Sequence, residues 1–264
     1  MSDIKKINPF IKWVGGKRKI LSNLVENLPK CINNYYEPFL GGGALFFAVK
    51  DRFDSAFLSD INFDLVASYN VVKNTPEKLC DYVEKHLQNH NKEYFYHVRA
   101  TNNSNNPIDI SARFVYLNCY SFRGMYRINK KGDLKLSCAS RKANLETISY
   151  NIMRASSSLQ NINIFAGDFS FINPQADDFV YFDPPYHKSG ETFYTRLPFN
   201  ENEQIRLKDF ADKLDNKKVK FMLSNSKTDF IINLYKNYNI KTLQLSYAIN
   251  NHSKTNEEVL ITNY

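Results

Sequence analysis

Residues 179–186, Phe-Val-Tyr-Phe-Asp-Pro-Pro-Tyr, restrict the fold of this chain more than any other stretch. Residues 179–182 are all apolar or aromatic, with no polar alternation, the pattern of a strand buried on both faces of a parallel sheet. Pro184 and Pro185 stop that strand, because neither donates a ladder hydrogen bond and each fixes its own backbone. Asp183 therefore stands where the strand runs out, and in open α/β sheets the carboxyl ends of the strands are where ligands bind. The two prolines leave little freedom, so the Asp183 carboxylate, the Pro184 carbonyl and the Tyr186 ring are expected in fixed relation. Two acceptors beside an aromatic face suit a planar base with an exocyclic amino group. The bland alternative is an ordinary Asp-Pro turn, and the rest of the chain weighs against it.

Another strand-like run opens the stretch 35–49, and others fall near 56–60, 162–165, 219–223, 240–246 and 258–263. Helical patterns separate most of them, notably over 201–215 and 227–237. Such alternation predicts an α/β protein with a Rossmann-like, doubly wound, mostly parallel sheet, its last two strands closing as an antiparallel pair. A chain of 264 residues accommodates one such domain and a sizeable insertion. We assign residues 1–62 and 160–264 to the catalytic domain and 63–159 to the inserted domain, which is expected to be helical with a hairpin.

Composition excludes little. No apolar run approaches membrane-spanning length, and the amino terminus lacks an apolar signal region. Cys31, Cys80, Cys119 and Cys138 are scattered, so reduced thiols in a cytoplasmic protein are expected, without zinc or disulfides. The net charge of +8 favours a polyanionic partner but is weak evidence alone.

Two glycine segments bear on ligand binding. Residues 9–28, PFIKWVGGKRKILSNLVENL, pass from an extended segment through Gly15-Gly16 into a helical pattern. A phosphate loop is excluded, because position 11 is Ile and Arg18 follows Lys17 where a hydroxyl is required. Trp13 is either core or a cover for a small ligand. Residues 35–49, YYEPFLGGGALFFAV, read as strand, glycine turn and helix start, which lets backbone approach a nucleotide-like ligand. Gly41, Gly42 and Gly43 lack the last glycine of a dinucleotide fingerprint, and Glu37 is an acceptor. A ligand with a ribose and an amino group but no phosphate fits better. Asp60, ending the next strand, either binds ribose hydroxyls or caps the following helix.

Within the insertion, FRGMYRINKKGDLKLS interleaves Arg123, Arg127, Lys130, Lys131 and Lys135 with Phe122, Met125, Tyr126 and Ile128. Lys130-Lys131-Gly132-Asp133 marks a hairpin turn. Basic side chains of this kind contact phosphates, Arg can hold guanine O6 and N7, and an apolar side chain can wedge between bases. The competing reading is a solvated basic hairpin.

Taken in order, PFIKWVGGKRKIL, EPFLGGGALFF, NCYSFRGMYRINKKGDL and DPPY resemble the Dam-type DNA adenine-N6 methyltransferases nearly end to end. That resemblance implies S-adenosyl-L-methionine (AdoMet) as cofactor and duplex DNA as partner, with no metal. It implies Trp13, Lys17, Glu37, Phe39, Gly41, Gly43, Asp60, Asp168, Phe169 and Asp183 around the cofactor, and Asp183, Pro184 and Tyr186 at the target adenine. It implies Lys12 and Arg127 as guanine readers and Phe122, Arg123 and Met125 at the target base pair, with Asn129 and Lys130 also on DNA and Asn225 shaping the substrate pocket. One copy of the chain, or two on one DNA, and a restriction endonuclease sharing the site are the expected partners. Family members that read GATC carry Asn at the position of Arg123 and Pro-Phe-Gly in place of Ser137-Cys138-Ala139. Those departures bear on the recognition sequence, GATC or CATG, more than on the chemistry.

Overall fold

The computed structural model describes residues 9–101, 104–124, 126–129, 133–140, 142–188, 198–245 and 256–264. Met125, Lys130 and Lys131 lie outside them, and the side chain of Arg123 is likewise not described.

A seven-stranded sheet organises the chain: β1 (Asn34–Glu37), β2 (Ser55–Asp60), β3 (Asn163–Ala166), β4 (Phe179–Phe182), β5 (Lys220–Ser226), β6 (Asn239–Leu245) and β7 (Asn256–Thr262). Their order is β3-β2-β1-β4-β5-β7-β6. The first five pair in parallel, and β7 runs antiparallel to both β5 and β6. The expected closing pair is therefore present, with the last strand slotted inside the sheet rather than at its edge.

Alternation along the strands builds two cores. Tyr35, Ala56, Leu58, Phe179, Tyr181, Met222 and Leu260 enter one apolar cluster. Their neighbours Tyr36, Val180, Phe182, Phe221, Leu223, Val259 and Ile261 enter another. All four residues of β4 are buried, as a strand covered on both faces requires. Helix α1 (Leu21–Glu26), α2 (Ala44–Val49) and α3 (Phe63–Asn74) contribute to the first cluster, while α8 (Glu201–Asn216) and α9 (Asp229–Leu234) cover the other face. The amino-terminal helical pattern is shorter than its spacing suggests, being divided into a 3₁₀ turn over Lys17–Lys19 and the short α1.

Between β2 and β3 come α4 (Pro76–Gln88), α5 (Lys92–Ala100), α6 (Pro107–Tyr120) and α7 (Leu145–Leu159). Pro76 and Pro107 sit in the first turns of α4 and α6, where a missing N–H costs nothing. Side chains from α3, α4, α6 and α7 join the first core cluster. A separate small core of Phe95, Val98, Tyr116, Leu117, Tyr120 and Leu136 ties α5 and α6 to the hairpin. The hairpin itself is marked by bridges Ser121–Cys138 and Ile128–Leu134.

The chain turns outward from β1 to β2 and β3, then returns to place β4 on the other side of β1. That reversal opens a crevice at the carboxyl ends of β1 and β4. Glu37 ends one strand and Asp183 follows the other.

Candidate active site

A cavity of about 610 Å³ fills this crevice, within the usual range for small-molecule sites. Its lining includes Trp13, Lys17, Glu37, Phe39, Gly41, Gly43, Asp60, Asp168, Phe169, Asp183, Pro184 and Tyr186. Every residue expected at the cofactor or the target base thus faces one cavity, although their positions run from 13 to 186 in the chain.

The glycine turn forms one wall. Gly41 has φ +48° and Gly43 φ +64°, a region that glycine enters freely and other residues at a cost. A Cβ on Gly41 would lie 2.7 Å from Trp13 Cδ1, so the indole rests directly on bare backbone. Trp13 also stacks on Tyr126, with ring centroids 5.8 Å apart. It packs against the core and also lines the cavity.

Asp60 braces the turn. Its Oδ2 accepts from the Gly41 N–H at 3.0 Å and its Oδ1 from the Asn62 N–H at 3.0 Å. Asn62, not Asp60, caps α3, its side chain accepting from Leu65 N–H. Burial outweighs the backbone donors from Gly41, Asn62 and Ile61 and pushes the Asp60 carboxyl up to about 6. Glu37 is more enclosed: burial raises its carboxyl to about 8, against the hydrogen bond donated by Tyr35 Oη at 2.8 Å. At neutral pH Glu37 is therefore largely protonated.

Asp183 is held by charge. Lys17 Nζ stands 2.6 Å from Asp183 Oδ1 and donates to the Gly15 carbonyl at 2.8 Å. Burial raises the Asp183 carboxyl, Lys17 opposes it, and Glu258 adds to the rise, leaving it above the ordinary carboxylate range. The same Lys17 nitrogen lies 4.7 Å from the centroid of the Tyr186 ring. Gln204 Nε2 donates to the Pro185 carbonyl at 2.9 Å, and Asn225 Oδ1 accepts from the His187 N–H at 3.0 Å. Asn225 is fully buried and bonded to Gln204. It fixes the backbone beyond Tyr186 and is not among the cavity-lining residues.

The far end of the cavity holds partners that no motif announced. Arg206 donates to both oxygens of Asp168, at 2.7 and 2.8 Å, and Ser170 donates from N–H and hydroxyl. The Arg206 hydrogen bonds above all hold the Asp168 carboxyl down at about 2. The Arg206 guanidinium also lies 4.0 Å from the Phe169 ring centroid, and Phe39 stacks on Phe169 at 5.5 Å. Helix periodicity alone gives Arg206 no special standing. Glu258 in β7 also lines the cavity and lies 75 positions past Asp183, with no local sequence signal.

Beside the cavity lies the basic hairpin. Asn118 joins it to the amino-terminal segment: its Oδ1 accepts from Lys12 N–H at 2.9 Å, and its Nδ2 donates to the carbonyls of Lys12 and Gly124 at 2.7 and 3.2 Å. Lys12 is exposed, and Phe122 is half exposed at 51%. Arg127 buries its Nε without a partner. Asn129 closes the hairpin turn with Asp133 through side-chain and backbone bonds of 2.9–3.0 Å.

No described helix is long and apolar enough to cross a membrane. Compared with known proteins, the chain is 38% identical over 288 residues to "Type II methyltransferase M.MjaIII" of Methanocaldococcus jannaschii, covering 98% of this chain and 100% of that protein. It is 34% identical over 280 residues to "Type II methyltransferase M1.LlaDCHI" of Lactococcus lactis, covering 98% and 97% of the two chains. It is 29% identical over 269 residues to the "DNA adenine methylase" of Escherichia coli K12, covering 97% and 94%. Residues 13–249, which include the cavity's walls up to α8 and the basic hairpin, match one family description. The chain belongs to the D12 class of N6 adenine-specific DNA methyltransferases.

Proposed function

We propose that the crevice cavity holds AdoMet beside an adenine extruded from duplex DNA, with Asp183, Pro184 and Tyr186 receiving the base. The observation carrying this reading is that the carboxylate after β4 and the glycine turn after β1 face one cavity large enough for two nucleoside-sized groups. The lining fits the cofactor: the carboxyls of Asp60 and Asp183 face the space beside the bare backbone of the glycine turn, which suits a ligand carrying sulfonium and ammonium charges. Trp13, Lys17, Glu37, Phe39, Gly41, Gly43 and Asp60 would hold its methionine and ribose, and Asp168 and Phe169 its adenine. When bound, AdoMet supplies an electrophilic methyl group.

Adenine N6 is a poor nucleophile, because its lone pair is delocalised into the ring. The Asp183 carboxylate and the Pro184 carbonyl accept its two hydrogens and so localise the lone pair toward the methyl group. This is catalysis by position and electrostatics. Lys17 opposes the rise that burial imposes on the Asp183 carboxyl and so favours its ionised, accepting form. Extrusion costs a few kcal/mol, and the Tyr186 ring offsets part of it by stacking.

On the DNA side, Lys12 and Arg127 read guanines at the two ends of a short site, and Phe122, Arg123 and Met125 enter beside the target pair. Asn129 and Lys130 also contact the DNA. What supports this arrangement is the joining of Lys12 to the hairpin through Asn118 and the exposure of Phe122. GATC is the first choice of site, with CATG its competitor. A restriction endonuclease sharing that site would be the functional counterpart.

The Asp183→Ala variant tests the centre of this reading. It should fold, bind duplex DNA and lose methyl transfer to adenine, measured as base-resolved mass shift on DNA. Turnover near that of the wild type would refute the assignment.

A further inference from the structure

The aromatic ring assigned to the extruded base is tied down by a residue from the opposite end of the chain. Tyr186 Oη donates to Glu258 Oε2 at 2.9 Å, and both residues line the cavity. Glu258 is placed by register: β7 runs antiparallel beside β5, which puts Glu258 opposite Ser226. Ser226 Oγ in turn donates to the His187 carbonyl, one residue beyond Tyr186. The strand that carries Glu258 is thus fastened to the backbone that carries the ring.

We infer that Glu258 is a positioning residue for methyl transfer, fixing the angle of the Tyr186 ring on which the target adenine stacks. The inference rests on the reading of Tyr186 given above and deepens it. Tyrosine χ1 has three staggered wells and χ2 a broad two-fold preference, and a change of χ1 well would move the stacking surface away from Asp183. The bond to Glu258 selects one well. A hydrogen bond to a charged acceptor is strong enough to hold such a preference. Near-attack geometry is sensitive to displacements of about 1 Å, so a ring that wanders lowers the rate of transfer without weakening the grip on DNA or cofactor. Glu258 does not need to touch the reacting atoms.

Single-turnover methylation of a duplex by the full chain separates this from other roles, with the variants Glu258→Gln, Glu258→Ala, Tyr186→Phe and the double variant Tyr186→Phe/Glu258→Ala. Glu258→Ala should slow transfer about tenfold, while the dissociation constants for DNA and AdoMet stay within about twofold of wild type. Glu258→Gln, whose amide oxygen can accept the same hydrogen bond, should recover most of that loss. Once Tyr186→Phe has removed the hydroxyl, truncating Glu258 should cost nothing further. Three results would each overturn the inference: a wild-type rate in Glu258→Ala, no recovery in Glu258→Gln, or an undiminished loss in the Tyr186→Phe background. A weakened AdoMet affinity in Glu258→Ala would also overturn it, by making Glu258 a cofactor contact. An inactive wild type would instead strike at the function itself, so the two failures are distinct.

Discussion

Lys17 does three things with one side chain: it neutralises Asp183, caps the Gly15 carbonyl and overlies the Tyr186 ring. Six acids line the cavity with it, Glu37, Asp60, Asp168, Asp183, Glu203 and Glu258, of which Glu37 is largely protonated at neutral pH. The pH behaviour follows from sign. Burial raises the Asp183 carboxyl and Lys17 lowers it, so removing the ammonium leaves the upward push unopposed. A carboxyl with a higher pKa is protonated at higher pH and can no longer accept from an amine. Lys17→Met should therefore shift the acidic limb of the single-turnover rate to higher pH. We expect the loss to be greater at pH 6.5 than at pH 8.5. Equal losses at both pH values would show that Lys17 acts by shape and not by charge.

At the scale of elements, the strand–turn–helix from β1 to α2 is the cavity's most constrained wall. Gly41 sits at positive φ, Tyr69 Oη donates to its carbonyl at 3.2 Å, Asp60 accepts from its N–H, and Trp13 covers the place of a side chain. Gly41→Ala must both strain the backbone and displace the indole. Strain of this kind costs about 1–2 kcal/mol, read as a lower midpoint in urea unfolding. The displaced Trp13 should weaken AdoMet binding about tenfold, about 1.4 kcal/mol, as measured by calorimetry. Unchanged affinity in a folded Gly41→Ala protein would remove Trp13 from the cofactor wall.

For the whole molecule, Lys12 and the hairpin joined to it through Asn118 lie beside a cavity lined by more acidic than basic side chains, on a chain of net charge +8. Such a division suits a polyanion outside and a cationic cofactor inside. Phosphate contacts release counterions, so log K for DNA should fall linearly with log salt, with slope about −0.9 per phosphate contacted. We expect a loss of at least about tenfold between 50 and 200 mM salt, measured by fluorescence anisotropy. An affinity indifferent to salt would remove the basic hairpin from the DNA interface.

Much of this was legible in the sequence, because local rules decide it. The unbroken apolar run of β4 required burial on both faces, the prolines ended it at Asp183, and the glycine cluster after Glu37 required a turn with exposed backbone. Those features are set by sterics and hydrogen-bonding capacity within a few residues of chain. The sequence left Asp60 between two roles, and the structure adds a third, as an acceptor bracing Gly41. It gave no hint of Arg206 on Asp168 or of Glu258 on Tyr186. An exposed-looking helix arginine and a glutamate at the start of the last strand are ordinary in isolation. Their partners lie 38 and 72 positions away, and only strand order and the β5–β7 register bring them together. Tertiary structure alone could decide those pairs, because contacts between distant segments depend on how the whole sheet closes and not on any local pattern.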